Sequence, residues 1–95
     1  MSAMAHMRKV KVEVVVSEPP CSTSLIVLRT LKAISEELKD KVELEVYSYL
    51  DDRAKALNIK TIPRVIVGGE ALPSRRPSKA EVMQLIEAKL KEMSI

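Results

Sequence analysis

The sequence predicts a small α/β domain whose elements run β-α-β-α-β-β-α. Three observations predict it. A valine-rich run, Val10–Val16, is followed by an apolar stripe of helical period, Val27, Leu28, Leu31, Ile34 and Leu38, and then by a strictly alternating segment, Val42 to Tyr47. A glycine pair, Gly68-Gly69, stands between two short apolar runs. Ser78-Lys79-Ala80-Glu81 has the S-x-x-E spacing that opens a helix.

Lys9–Ser17 is the first strand. Val10, Val12, Val14 and Val16 share one face, and Lys9, Lys11, Glu13 and then Val15 share the other, so cover on that second side is thin at the start. Ser17-Glu18-Pro19-Pro20 is the joint, and Ser22–Leu38 is a helix with its stripe turned to the strand and Glu36, Glu37 and Lys39 largely off it. Lys41–Tyr49 alternates Val42, Leu44 and Val46 with Glu43, Glu45 and Tyr47, the pattern of an edge strand rather than one buried on both faces. The unit from the first strand through the helix to the second is a right-handed parallel crossover. Asp51 or Asp52 caps a short helix, Arg53–Leu57, which Asn58 ends in the left-handed conformation. Arg64–Val67 and Glu70–Leu72 form a hairpin, because a two-residue Gly-Gly loop suits a primed turn with positive φ. Pro73 cannot donate to a ladder and puts the second hairpin strand at an edge. The last helix turns Val82, Met83, Ile86, Leu90 and Met93 to the core.

Ninety-five residues make one domain, with residues 8–95 as the folded unit and residues 1–7 as a tag remnant or disordered lead-in. Hydrophobic residues are 46% with no Phe and no Trp, so the core is built from Val, Ile, Leu, Ala and Met. Asn58 and Gln84 stand alone of their types among many Lys and Glu, a bias that points to a thermophilic source. A net charge of +3 with mixed signs, and Tyr47 and Tyr49 as the only aromatics, give no stacking platform and argue against nucleic acid as a partner. No apolar run approaches the roughly 20 residues of a membrane span. With one cysteine there is no internal disulfide, and a reducing, cytoplasmic location is the default expectation. That cysteine and His6, in the lead-in, cannot make a metal site alone, and no cofactor is expected.

The cysteine is the chemical centre of the chain. Cys21 falls where the joint meets the helix, facing unpaired backbone N–H groups and the positive end of the helix dipole. That setting favours the thiolate, which is the nucleophile. The local motif is C-x-x-S, spelled Cys21-Ser22-Thr23-Ser24, with the Ser24 hydroxyl placed to donate one more hydrogen bond. The alternative for any free cysteine is a small apolar residue buried under the helix.

The cysteine after the first strand, the Ile62-Pro63 pair before the hairpin and the element order together resemble the thioredoxin and glutaredoxin superfamily over Lys9 to the C-terminus. By size the resemblance is to the small glutaredoxin-like proteins of archaea. It implies a thioredoxin-like four-stranded mixed sheet in the order 2-1-3-4 with helices on both faces. It also implies a cis Ile62-Pro63 bond beside Cys21, and an Ile62 whose backbone N–H and C=O hold an extended partner segment, with Thr61 leading into the turn. The chain departs from the pattern in three places. The second cysteine is Ser24, the aromatic beside the nucleophile is replaced by Pro20 and Ser22, and Pro73-Ser74-Arg75-Arg76 stands where glutaredoxins hold glutathione. Arg75 and Arg76 offer two guanidinium groups that can grip a carboxylate of a small thiol or of a partner, or simply face solvent.

These residues leave three functions open. The first is a monothiol thiol–disulfide oxidoreductase, with Cys21 and Ser24 catalytic, Thr61, Ile62, Pro63, Arg75 and Arg76 binding a protein or small-molecule substrate, and an external thiol as reductant. The second is an iron–sulfur cluster carrier of the monothiol glutaredoxin type, which the C-x-x-S motif fits and the missing glutathione residues oppose. The third is an interaction module that kept the fold and lost the redox pair.

Overall fold

A computed structural model describes residues 9–57, 59 and 61–93. The expectations for residues 1–7, His6 and Asn58 lie outside the described residues, as does the side chain of Met93. The elements are β1 (Val10–Val16), α1 (Ser22–Glu37), β2 (Val42–Ser48), α2 (Asp52–Ala56), β3 (Arg64–Val67), β4 (Glu70–Ala71) and α3 (Lys79–Met93).

The four strands form a mixed sheet in the order β2-β1-β3-β4. β2 runs parallel to β1, from Val10 beside Val42 to Val16 beside Ser48, and β3 runs antiparallel to it, with Val12 beside Val67 and Val15 beside Arg64. β1 is therefore central, and every residue of it except Lys11 is buried. Val10, Val12, Val14 and Val16 pack with Val27, Leu31 and Ile34 of α1 and Val82 and Ile86 of α3. Val15 packs on the opposite face with Ala54 of α2 and Ile66. Covering both faces of a valine strand contributes about 1.5 kcal/mol or more per side chain, which makes β1 the anchor of the domain.

The hairpin and the last helix are built by local rules. Gly68 and Gly69 have φ of 56° and 87°, values that a Cβ penalises. Ser78 Oγ accepts from the Glu81 N–H at 3.1 Å, and Glu81 Oε1 accepts from the Ser78 N–H at 3.1 Å, closing the capping box.

Four details differ from the sequence reading. Asp51 occupies the N-cap of α2, but its carboxylate accepts from the Ser48 N–H at 2.9 Å and fastens the preceding turn instead of the helix. α2 spans Asp52–Ala56, and Leu57 is its C-cap. Val46 is 47% exposed while Tyr47 is half-buried against the Val15 cluster, so the apolar alternation of β2 breaks at its end. Glu13, read as part of a thinly covered face, is 2% exposed. Arg53 reaches from α2 to it, with Nε donating to Oε2 at 2.8 Å and Nη2 to Oε1 at 3.3 Å, and this fork is what lets a carboxylate sit in the sheet face.

Candidate functional site

Cys21 is the N-cap of α1, with extended backbone at φ −78° and ψ 174°. The thiol stands at the carboxyl end of the central strand, where the β1–α1 joint turns back, and it is exposed. Its geometry follows from the cap position. The Ser24 N–H, one of the orphan donors of the first turn, points at Sγ at 3.4 Å. The Ser24 hydroxyl, on a fully buried side chain, lies 3.3 Å from Sγ. These contacts, with smaller ones from the Ser17 hydroxyl and the Thr23 N–H, lower the Cys21 thiol from 9.0 to about 7 against the small opposing effect of burial. The donors stabilise the charged form, which exposes a thiolate to solvent near neutral pH.

Ser17 is the residue that sequence reasoning missed. Its hydroxyl accepts from the Cys21 N–H at 2.9 Å and donates to the Pro19 carbonyl at 3.1 Å, so it folds the joint around the cysteine. A serine ahead of a proline pair is a signal for such a side-chain-closed turn. The Glu18–Pro19 peptide within this turn is cis.

Pro63 is buried, and the Ile62–Pro63 peptide is cis. Because Arg64 pairs with Val15, Pro63 sits one step further along, at the end of the sheet from which the Cys21 joint departs. Topology thus brings Thr61, Ile62 and Pro63 to the same end of the molecule as the thiol. The two expected arginines separate in role. Arg75 donates from Nε at 3.1 Å and from Nη2 at 2.7 Å to the Ile62 carbonyl. Arg76 is exposed, and its backbone N–H donates to the Ser74 hydroxyl at 3.2 Å. The Ile62 carbonyl, expected to be open to a partner segment, is therefore occupied from within the chain. A third guanidinium joins them: Arg64 Nη1 donates to the carbonyls of Leu72 and Pro73. No local sequence signal marks these long-range contacts. Among the described residues no group of side chains is arranged to hold a metal ion, and no helix is long and apolar enough to cross a membrane.

No protein-family model matches the chain. It is 27% identical over 86 residues to a thioredoxin of Methanocaldococcus jannaschii, covering 88% of this chain and all of that protein. Among solved structures it superposes with TM-score 0.65 on a chain of the crystal structure of a ferredoxin:thioredoxin reductase–thioredoxin f2 complex, at 22% identity, over 90% of this chain and 82% of that one. It superposes with TM-score 0.63 on oxidised thioredoxin from Plasmodium falciparum in solution, at 14% identity, over 93% of this chain and 88% of that one. The architecture is the thioredoxin fold. Fold and sequence likeness together support kinship with the thioredoxin/glutaredoxin superfamily.

Proposed function

We propose that the protein is a monothiol thiol–disulfide oxidoreductase acting through Cys21. The observation that carries the reading is the exposed sulfur at the N-cap of α1, held by Ser24 from two directions and lowered to about 7. The Cys21 thiolate attacks one sulfur of a substrate disulfide. A Cys21–substrate S–S bond forms, the original S–S bond breaks, and the departing thiolate takes a proton from water. Ser24, in the position of a second cysteine, has no sulfur with which to displace the substrate. A second, external thiolate attacks the mixed disulfide on the substrate sulfur and returns Cys21 to its thiolate. Ser24 holds the charge, and Thr61, Ile62 and Pro63 form the wall against which the substrate lies. The substrate is a protein or small-molecule disulfide, and the reducing, cytoplasmic setting suits a thiol that must be regenerated from outside.

Mass spectrometry after mixing the reduced protein with a small disulfide tests this. The expected product is one adduct on Cys21 that persists until external thiol is added and then clears. A Cys21 that reacts no faster at neutral pH than free cysteine refutes the reading.

A further inference from the structure

We infer that Arg75 makes this site selective for disulfides that carry a carboxylate beside the reacting sulfur. The inference rests on the thiol-exchange reading above and specifies its substrate. Ile62 lies at the thiol end of the sheet, and its carbonyl is capped by the Arg75 fork. Where the main chain offered an acceptor, the surface now offers donors. A guanidinium has five N–H groups, and Arg75 spends one on Nε and one on Nη2. Of the remaining three, one on Nη1 and the outer one on Nη2 form the flat edge that matches a carboxylate.

The charge is also uncompensated. Arg75 binds a neutral carbonyl, and Arg64, the residue after Pro63, binds two more. None of the ion pairs among the described residues involves Arg64, Arg75 or Arg76. The acidic residue of the joint, Glu18, accepts from the Ser48 hydroxyl of β2, on the other side of β1. Fixing the guanidinium on Ile62 removes much of the side-chain freedom that ordinarily weakens exposed arginine contacts. The same fork disfavours a neutral extended chain, which would have to give an N–H to a carbonyl already taken. A small disulfide bearing carboxylates and a peptide disulfide with an adjacent acidic residue share the required chemistry.

Single-turnover reaction of Cys21 with two reagents tests this without a catalytic cycle. One is 5,5′-dithiobis(2-nitrobenzoate), which carries carboxylates, and the other is 4,4′-dithiodipyridine, which is neutral. In each, the thiolate forms a mixed disulfide and expels a coloured thiolate or thione. In Arg75→Ala the nitrobenzoate rate falls about tenfold, the scale of one charge-assisted contact, while the dipyridine rate holds within about twofold. Arg75→Lys, which keeps charge and loses the fork, falls in between. Lys91→Ala, which removes the same charge from the far end of α3, leaves the ratio unchanged. Paired peptide disulfides, with Glu or Gln beside the cysteine, then separate the sources: discrimination between them by the wild type alone assigns the carboxylate to peptides, and its absence assigns it to small disulfides. Rates that fall together in Arg75→Ala, with circular dichroism unchanged, overturn the inference, and so does a ratio blind to residue 75. If Arg75→Ala does not fold, Arg75→Gln carries the same comparison. A wild-type Cys21 inert to both reagents overturns the thiol-exchange reading itself, and this inference with it.

Discussion

Ser24→Ala removes the hydroxyl 3.3 Å from Sγ and leaves the backbone N–H at 3.4 Å in place. Cys21 drops from 9.0 to about 7 under four hydrogen-bonding influences, of which the Ser24 hydroxyl is the largest, while burial works the other way. The largest of four shares exceeds a quarter of the whole. Its loss therefore raises the titration midpoint by at least about half a pH unit. The sign follows from the chemistry: the donors favour the thiolate, so the variant needs a higher pH to form it. At pH 7 the thiolate share falls from about half to about a quarter or less, and alkylation slows about twofold or more. Well above both midpoints the two proteins are fully ionised, and their rates converge apart from a small gain in the variant's nucleophilicity. The assay is the iodoacetamide rate constant, which follows the thiolate, measured from about pH 5 to about pH 10. A midpoint that does not move refutes the assignment of Ser24 as the thiolate's main partner.

Gly68→Ala places a Cβ 3.1 Å from Lys89 Cγ and Cδ at φ +56°, and urea denaturation should show a loss of about 1–2 kcal/mol. Leu31→Ala, at a residue 2% exposed between α1 and the sheet, should cost about 3 kcal/mol in the same measurement. Arg53→Ala leaves Glu13 buried without its fork. It should melt at a lower temperature than the double variant Glu13→Leu/Arg53→Ala, in which the stranded carboxylate is gone as well. Ser78→Ala opens the capping box and should cost about 1 kcal/mol by urea denaturation, with the first turn of α3 losing amide protection first.

Much of the framework is legible in the sequence because its causes are local. The apolar period of Val27, Leu31 and Ile34, the glycine pair and the S-x-x-E box each act within a few residues, and each sits where the spacing puts it. Cys21 at a helix start is equally local, since strand, proline pair and stripe are contiguous. The departures come from contacts made across the chain. Glu13 reads as a solvated strand residue because nothing near it reveals Arg53. Asp51 reads as a helix cap because its competing donor, the Ser48 N–H, exists only once the turn has closed. Arg75 reads as a loop cation turned to a carboxylate or to solvent, and its bond to Ile62 depends on how β3 and the loop before α3 come together. A charged residue within a valine run is the one such signal the sequence does contain, since an uncompensated carboxylate could not remain there.

The placement of β1 bears on how the chain comes together during synthesis. It leaves the ribosome ahead of the other three strands and ends innermost, yet Val10 must wait for Val42 and Val12 for Val67 before its two edges are closed. Until then a ribbon of valines is bare on one side, a template for foreign strands. The N-terminal half is thus no stopping point on its own. The late-arriving hairpin, only a few residues long, is the keystone that turns an open ribbon into a finished domain.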